Sequence, residues 1–468
     1  MHTRRRSLVS TSRWPTTAAH HVAINTGVIA VSGTGVPALG KFQPVVVLAL
    51  YGETPNGVEW GSMDIVCVPG AGKGMNEPMN NSATKQPLWI RAAVNSESFA
   101  YEQAVFSKIW SFVGLSSDIP CDGDWFTTIV GGRSIFVQRF GSELRCFENR
   151  CAHRFYPLRT AERGNGPIVC GFHHWRYNKD GRAMGIPMCP ELYEGAIPRD
   201  LDLGIPRLDL ELCGELIFVR FPSEGESESL SEFLAEGFPI LAAMSRHKTA
   251  PRRFRLSIAA NWKFSHHISL DDYHIVAVHP TTFGKSGHLK AHRVKYYRFG
   301  RHSSFLATER DDGWDKMKQI KDTQDYEPSH YAILNVFPNT VISVARAVRL
   351  YGAENWYVTI TRYVAVCESR SEAHVWMFKA PFKQTETFLS GLFRLPTDWI
   401  VAPIAARVLR KIMREDNEIC EGQQRLAHQV DAEQNLSAYE RRIAWFEESY
   451  SEALEPDRPN QGRAKPQL

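Results

Sequence analysis

The sequence lacks a marked excess of charge of either sign. Its 468 residues include 55 Lys and Arg and 51 Asp and Glu, so the formal net charge is only +4. No arginine-rich or lysine-rich stripe accompanies this small excess, which argues against a nucleic-acid partner. Hydrophobic residues make up 43% and charged residues 23% of the chain. These are ordinary proportions for a globular protein, and the length allows two or three domains.

Cysteine is too sparse to build a disulfide scaffold. The nine cysteines are odd in number and scattered along the chain, whereas disulfide scaffolds are short and dense in cysteine. This usage predicts a reducing, cytoplasmic environment in which a few cysteines are recruited to bind a metal.

Long apolar runs are also missing. The most apolar stretch, residues 27–51, is interrupted by Pro37, Lys41 and Pro44, which excludes a transmembrane helix there, and we expect no membrane partner. No Asp or Glu occurs before Glu53, so the composition of this N-terminal part superficially suits a transit peptide. We interpret residues 1–78 as a leader that is either disordered or follows a start codon placed too early.

Short apolar runs divided by Gly and Asp predict a small β-domain. The stretches "DWFTTIVGG", "SIFVQRFGS" and "ELRCFENRC" are typical of β-hairpins, and "GELIFVRFP" repeats the same pattern near residue 220. Before them, "YEQAVFSKIW" predicts a short helix that runs to Trp110. From about residue 252 onward, successive strands with helices at both ends indicate an α+β fold with an antiparallel sheet.

These patterns divide the chain into six segments. They are the leader (1–78), an N-terminal helical segment (79–106), a small all-β domain (107–222), a linker (223–250), a larger α+β domain (251–455) and a tail (456–468).

Two short motifs each place one cysteine and one histidine on a loop. They read Cys-x-His and Cys-x-x-His, at Cys151, His153, Cys170 and His173. Zinc accepts two cysteines and two histidines, whereas a Rieske [2Fe–2S] cluster holds one iron by two cysteines and the other by two histidines. A zinc finger usually pairs Cys with Cys and His with His before a helix. Here each loop carries one Cys and one His and is flanked by hairpin sequence. This arrangement favours the cluster over zinc, because each loop of a Rieske site must reach both irons.

A second group of metal-ligating residue types lies farther along the chain. His274 and His279 are five residues apart, and Asp271 lies three residues before His274, on the same face of a helix. Pro280 disfavours helical geometry at His279, so this side chain can turn toward His274 at a helix end. Two histidines placed in this way need a third ligand.

Asp416 is the candidate for that third ligand. Ile404, Val408 and Ile412 recur every four residues and predict a buried helical stripe, which Asp416 and Cys420 continue. A carboxylate on an apolar face is costly unless it is paired or bound to a metal. Two imidazoles and one carboxylate form the facial triad of non-haem Fe(II) oxygenases. The alternative is a paired buried Asp beside two helical histidines.

The first motifs resemble the Rieske domain of the aromatic-ring-hydroxylating oxygenases. The segments "NRCAHRFYPL" and "CGFHHWRYNKDGR" are similar to that family's Cys-Pro-His-Arg and Cys-x-Tyr-His-Gly-Trp loops. The resemblance implies that Cys151 and Cys170 hold one iron and that His153 and His173 hold the other. His174 stands where the family usually has glycine. Neither loop carries the extra cysteine of respiratory Rieske proteins.

The second group resembles the catalytic domain of the same family. "NWKFSHHISLDDYHIVAVHP" is similar to its Asn-Trp-Lys…Asp-x-x-His-x4-His-Pro pattern, and "EDNEICEGQQ" is similar to the segment that places the third iron ligand at Asp416. The resemblance spans roughly residues 90–450. It implies a small all-β Rieske domain and a larger catalytic domain of the helix-grip type, with His274, His279 and Asp416 as ligands of a mononuclear Fe(II).

The resemblance also implies a function and its partners. We expect an oxygenase α subunit that hydroxylates an aromatic ring compound with O2 and electrons from NAD(P)H. A reductase or ferredoxin would supply the electrons, because no Gly-x-Gly-x-x-Gly follows a strand here. The family implies a homotrimer, with or without β subunits, in which Asp271 bridges His274 and a cluster histidine of the next subunit.

Two alternatives differ in outcome or in class. One keeps both metal sites in a Rieske monooxygenase that demethylates or acts on a quaternary ammonium compound. The other is a zinc-stabilised binding module without chemistry. The additional histidines His266 and His267 are expected to be supporting or surface residues rather than ligands.

Overall fold

A computed structural model describes most of the chain after residue 86. The described residues are 51–54, 57–60, 87–223, 225, 228–247, 250–281, 294–308, 312–318, 331–346, 356–380, 394–432 and 434–455. The chain divides into two units, Met1–Asn81 and Ser82–Leu468. Most of the predicted leader and all of the predicted tail lie outside the described residues. In the first unit, β1 (Tyr51–Thr54) pairs antiparallel with β2 (Gly57–Trp60).

Two helices open the second unit. They are α1 (Leu88–Val94) and α2 (Ser96–Phe106). The α2 helix begins where it does because the Asn95 side chain accepts a hydrogen bond of 2.8 Å from the backbone N–H of Ser98. The predicted helix to Trp110 is wrong at its end, since α2 stops at Phe106. Trp110 instead lies buried just before a strand, and its indole donates to the backbone carbonyl of Glu228 at 3.0 Å.

The small β-domain follows, as the short apolar runs separated by turn residues predict. Its main sheet has seven strands in the order β3-β12-β11-β6-β5-β4-β7. These strands are β3 (Ser111–Leu115), β4 (Asp124–Val130), β5 (Arg133–Phe140), β6 (Glu143–Glu148), β7 (Arg163–Asn165), β11 (Arg207–Cys213) and β12 (Leu216–Arg220). A second sheet contains β8 (Ile168–Val169), β9 (Arg176–Tyr177) and β10 (Ala183–Gly185), and a short helix, α3 (Cys189–Leu192), follows it.

The larger domain is built on one antiparallel sheet of seven strands. Its order is β13-β19-β18-β17-β16-β15-β14. The strands are β13 (Arg252–Ile258), β14 (Val294–Phe299), β15 (His302–Ala307), β16 (Ala332–Val336), β17 (Thr340–Arg346), β18 (Trp356–Cys367) and β19 (Arg370–Lys379). Its helices are α4 (Leu230–Leu234), α5 (Gly237–Met244), α6 (Trp262–Leu270), α7 (Ile275–Val278), α8 (Gly313–Lys318), α9 (Arg394–Leu426) and α10 (Arg441–Leu454).

Polar contacts tie the two domains together within the chain. The buried Arg362 guanidinium donates to the Thr128 hydroxyl at 2.8 Å and to the Ile129 carbonyl. The Trp376 indole donates to the carboxylate of Asp118 at 3.0 Å. Both contacts run from the large sheet to the small β-domain and are shielded from water, so they fix how the two domains pack.

A buried ion pair anchors the helix that leads to the candidate iron site. Lys263 and Glu102 are both fully buried and lie 2.5 Å apart. The indole of Trp262 donates to the same carboxylate at 2.8 Å and the Tyr450 hydroxyl does so at 2.5 Å. Removing one partner of such a pair leaves an uncompensated charge in the interior. The network therefore holds α6 firmly against α2 and α10.

The long helix α9 differs from its predicted register. Ile404 and Val408 are each 44% exposed, so the predicted buried stripe through them is wrong. Residues four apart on an α-helix advance about 40° beyond a full turn, so an every-four pattern rotates away from the core. Cys420 and Met413 are buried, and Ile404 lies about 160° around the helix from Cys420.

No helix among the described residues combines the length and the apolar character that crossing a membrane requires.

Candidate metal centres

The first Cys-His loop is a tight turn that buries its cysteine. The backbone N–H of Cys151 donates to the Tyr156 carbonyl at 2.9 Å, and the N–H of Phe155 donates back to the Cys151 carbonyl at 3.0 Å. Phe155 has a left-handed backbone with φ 59°. Cys151 is 1% exposed, while the Phe155 ring at the loop tip is 67% exposed.

The second loop repeats this backbone design. The N–H of Cys170 donates to the Trp175 carbonyl at 2.9 Å, and the N–H of His174 donates to the Cys170 carbonyl at 3.0 Å. His174 takes the left-handed conformation with φ 57°, which glycine adopts without steric cost. That conformation explains why a glycine is expected at this position. The His174 side chain is exposed.

The two loops bring the four predicted cluster residues to one end of the domain. Cys151 and Cys170 are each 1% exposed, and the rings of His153 and His173 lie 4.7 Å apart between centroids. The His153 ring stacks on Trp175 at 4.9 Å, which fixes its plane. His153 Nδ1 is buried without a hydrogen-bond partner. A buried nitrogen of this kind fits a metal ligand, because an unpartnered polar atom is otherwise costly.

Tyr177 is a further residue beside the two loops that sequence reasoning missed. Its hydroxyl accepts a hydrogen bond of 3.1 Å from the backbone N–H of Ala152 and lies 3.0 Å from the sulfur of Cys151. With its oxygen already accepting, the hydroxyl can donate its own hydrogen to that sulfur. Burial raises the pKa of the Cys170 thiol, as does the neighbouring Cys151. Tyr177 lies four residues after His173, outside the Cys-x-x-His motif, so that motif does not identify it.

The second centre brings together His274, His279 and Asp416. One ligand atom from each lies within 4.8 Å of the others. Asp416 Oδ1 is 2.9 Å from Nε2 of His279 and 3.5 Å from Nε2 of His274. Neither contact has hydrogen-bond geometry, so this buried oxygen is left without a hydrogen-bond partner. Two imidazole nitrogens and a carboxylate oxygen that converge in this way are the donor set that a non-haem ferrous ion takes.

Local structure explains how the two histidines come to face one point. The α6 helix ends at Leu270, and Asp271 begins a turn in which its carboxylate accepts a hydrogen bond of 2.6 Å from the N–H of Tyr273. His274 then precedes the short helix α7, and His279 closes it just before Pro280. The two imidazole rings are 5.3 Å apart between centroids.

Each histidine also has a carboxylate on its other nitrogen. Nδ1 of His274 lies 3.3 Å from Asp271 Oδ2, and Nδ1 of His279 lies 2.8 Å from Glu415 Oε2. Carboxylates behind metal-binding imidazoles fix the tautomer and the ring orientation. Glu415 was not among the predicted site residues, although it directly precedes Asp416 in the sequence.

These carboxylates control the charges of the centre. Burial alone would lower the pKa of His274, but the neighbouring carboxylates of Asp271 and Asp416 outweigh it and raise the pKa to about 9. Burial likewise opposes the rise in the pKa of His279 that Asp416 and Glu415 produce. Burial would raise the pKa of Asp416, yet the two histidines hold it below its usual value. The site is therefore built to keep opposite charges together.

The two additional histidines are buried rather than exposed. His266 is 0% and His267 is 6% exposed, so a surface position is wrong for both. Burial lowers the pKa of His266 to about 3 and that of His267 well below its usual value, which keeps both imidazoles neutral. His266 packs on Phe446 at 4.7 Å and His267 on Trp89 at 4.5 Å between ring centroids. Both histidines therefore belong to the buried face of α6.

Two family models match the chain in succession. Residues 109–198 match the Rieske [2Fe-2S] domain, and residues 244–456 match the ring hydroxylating alpha subunit, catalytic domain. The chain belongs to the Rieske oxygenase α subunits. This family carries a Rieske [2Fe–2S] cluster in the first domain and a mononuclear iron in the second, and its members are oxidoreductases.

Curated relatives of this Rieske oxygenase α subunit act on different substrate classes. It is 26% identical over 240 residues to the large oxygenase component of salicylate 5-hydroxylase from Ralstonia sp, covering 48% of this chain and 56% of that one. It is 31% identical over 192 residues to the glycine betaine monooxygenase oxygenase subunit of Chromohalobacter salexigens, covering 39% and 40%. The matched regions thus span about half the length of these relatives.

Solved structures show the same fold. Naphthalene 1,2-dioxygenase from Rhodococcus sp., bound to indole, superposes with a TM-score of 0.60 at 19% identity, covering 79% of this chain and 94% of that one. The quaternary ammonium Rieske monooxygenase CntA, in complex with an inhibitor, gives a TM-score of 0.57 at 17% identity, with the same coverage.

Proposed function

We propose that this α subunit hydroxylates an aromatic ring compound with O2 and electrons from NAD(P)H, delivered by a partner reductase or ferredoxin. The observation that carries the proposal is the convergence of His274, His279 and Asp416 within 4.8 Å, in a chain that also has two Cys-His loops. A cluster alone only moves electrons. A two-histidine, one-carboxylate centre leaves coordination positions open, which oxygen chemistry requires.

In this proposal Cys151 and Cys170 hold one iron of the cluster, and His153 and His173 hold the other. The burial of both sulfurs supports the cysteine assignment, because thiolate ligands are shielded from water by the loops that carry them. His173 is exposed and His153 is partly exposed. The histidine side of the cluster would therefore face outward, where electrons enter and leave.

His274, His279 and Asp416 would hold the mononuclear iron. Bound there, ferrous iron supplies the site at which dioxygen is activated. The protein's own contribution is orientation. The carboxylates of Asp271 and Glu415 lie beside the Nδ1 atoms, at 3.3 Å and 2.8 Å, which leaves both Nε2 atoms facing the position that Asp416 Oδ1 also faces. Asp416 supplies the negative charge that balances the centre.

We extend the proposal to Asp271 as the bridge between subunits of a homotrimer, with or without β subunits. Asp271 would join His274 to His173 of the partner subunit. Its carboxylate already lies 3.3 Å from His274 Nδ1, and its side chain keeps 15% exposure, so one edge can reach a second imidazole. A carboxylate between two imidazoles fixes both tautomers and couples the two centres.

A second candidate is a Rieske monooxygenase that demethylates or acts on a quaternary ammonium compound. The resemblance to glycine betaine monooxygenase at 31% identity favours it. Aromatic side chains of the last domain could serve either substrate, but Trp356, Tyr363, Trp376 and Phe378 are buried at 6% exposure or less and belong to the apolar core.

Metal analysis and a substrate panel test the proposal together. The purified protein should contain about three irons per chain and acid-labile sulfide. Supplied with a reductase and O2, it should add oxygen to a member of a panel of aromatic acids, ring compounds and methylated amines, as read by product mass. Oxidation of a methylated amine alone would select the second candidate. A colourless protein that holds zinc and no iron would overturn both.

A further inference from the structure

We propose that Glu415 is the positioning residue of His279, and that it sets the affinity of the second centre for its metal. This inference rests on the proposed function only in assigning His279 as a ligand. Glu415 Oε2 lies 2.8 Å from His279 Nδ1. The interaction is partly shielded from water, since the His279 side chain is 2% and that of Glu415 is 23% exposed.

The imidazole of His279 is held between two consecutive carboxylates of α9. Glu415 contacts its Nδ1 at 2.8 Å, and Asp416 Oδ1 lies 2.9 Å from its Nε2. When Nε2 binds a metal, the proton of the neutral imidazole resides on Nδ1, where the carboxylate of Glu415 can accept it. A ring flip would direct a carbon atom at each carboxylate. Glu415 therefore selects both the tautomer and the orientation.

A lysine of the same helix holds this arrangement in place. Lys411, one turn before Glu415, donates to the hydroxyl of Thr281 at 2.9 Å and lies 3.6 Å from Glu415 Oε1. Thr281 follows His279 by two residues. The segment that carries His279 is thus tied to α9 at two points, one on each side of Pro280.

The two histidines differ in how their carboxylates are placed. Asp271, behind His274, lies three residues away on the same turn, so local chain geometry already sets that pair. Glu415 is 136 residues from His279. Only the packing of α9 brings them together. Removing Glu415 therefore frees His279 to rotate, whereas the fold of α9 and the contacts of Asp416 remain.

Metal binding by three variants tests the inference. The mononuclear site is emptied with a chelator while the cluster is kept, and Co(II) is titrated anaerobically while its visible absorption is followed. Glu415→Ala should bind Co(II) about 10- to 100-fold more weakly than the unchanged protein. Glu415→Gln should recover much of the loss, because its amide oxygen still accepts from Nδ1–H. Glu418→Ala removes an exposed carboxylate from the same helix and should match the unchanged protein.

The outcomes separate this inference from the proposed function. Unchanged Co(II) affinity in Glu415→Ala, with normal cluster absorption and thermal unfolding, overturns the role of Glu415 and leaves the oxygenase function standing. Weakened binding in Glu415→Ala, in a protein that oxidises nothing on the panel, supports Glu415 and removes the function. A protein whose second centre binds no Co(II) overturns both.

Discussion

Asp416 Oδ1 lies 2.9 Å from Nε2 of His279, although 137 residues separate them, and this buried oxygen has no hydrogen-bond partner. A carboxylate in that position is costly unless a cation completes its environment.

Replacing Asp416 by Ala should empty the second centre and spare the cluster. The iron content should fall from about three to about two atoms per chain, because the remaining two histidines hold ferrous iron weakly. Iron analysis and the cluster's electron paramagnetic resonance signal measure the two centres separately. Asp431→Ala, which changes an exposed residue beyond the end of α9, is the control. Full iron content in Asp416→Ala would contradict the ligand assignment.

Replacing Asp271 by Ala should keep both metals and stop coupled turnover. The side chain is proposed to connect His274 with the cluster of the partner subunit, and it is not itself a ligand. Stopped-flow spectroscopy of the reduced protein with O2 and substrate should then show a cluster that stays reduced. Glu418→Ala again serves as the control. Normal cluster oxidation in Asp271→Ala would remove the proposed bridge.

Replacing Tyr177 by Phe should lower the reduction potential of the cluster. The lost hydroxyl lies 3.0 Å from the Cys151 sulfur, and hydrogen bonds to cluster sulfurs stabilise the more negative, reduced state. A loss of about 1 kcal/mol corresponds to roughly 40 mV for one electron. Redox titration followed by absorption measures it. Tyr193, which contacts Trp175 edge-on at 6.5 Å, offers Tyr193→Phe as a control with an unchanged potential. Equal potentials in both variants would exclude the hydrogen bond.

Replacing His174 by Gly should stabilise the second cluster loop by about 1 kcal/mol, since a left-handed backbone costs a side-chain-bearing residue about that much. Thermal unfolding measures the change. The cluster's electron paramagnetic resonance spectrum should be unaltered, because the side chain of His174 is exposed and is not a proposed iron ligand. Altered g-values would show instead that His174 binds an iron.

Stability should fall as the pH drops below about 6.5, in part because of His302. Its Nε2–H donates to the Phe233 carbonyl at 2.7 Å, and its Nδ1 accepts from the N–H of Phe337 at 3.0 Å. Burial lowers the pKa of His302 to about 4 in the folded state. The unfolded chain therefore binds the proton more readily. The contribution of neutral His302 to the free energy of unfolding is fully present above pH 6.5. It is lost progressively toward pH 4, by about 3 kcal/mol.

Urea unfolding between pH 7.5 and 5 checks this dependence. His302→Gln should be less stable at pH 7.5 but should lose less stability on acidification than the unchanged protein. The exposed residue His428 provides His428→Gln as a control that keeps the steep dependence. An equally steep fall in His302→Gln would assign the effect to the other buried histidines, such as His374, whose pKa burial lowers to about 4.

Sequence spacing was sufficient to locate residues that the fold brings together. His274, His279 and Asp416 were identified from local signals, namely a His-x4-His pair before a proline and a carboxylate between the buried residues Ile412 and Cys420. The hairpins of the β-domain were predictable for the same reason, since alternation and turn residues act over a few positions.

Features that depend on distant packing escaped prediction. Glu415 contacts His279 only because α9 packs across the site, and Tyr177 reaches Cys151 only through the pairing of two loops. The register of α9 was wrong at Ile404 because an every-four pattern does not reveal which end of a long helix stays in the core. Likewise, the left-handed backbone of His174 is a property of the loop rather than of histidine.

The buried pair of Glu102 and Lys263 has a consequence for how the polypeptide is organised. One partner precedes the cluster-bearing domain in the chain and the other follows it, yet both lie in the interior of the larger domain. The larger domain is therefore discontinuous in sequence, and the cluster-bearing domain is an insertion within it. An expression fragment that starts after residue 250 would leave Lys263 in the interior without its carboxylate partner. Fragments intended to isolate the catalytic half must retain α1 and α2, joined across the excised insertion.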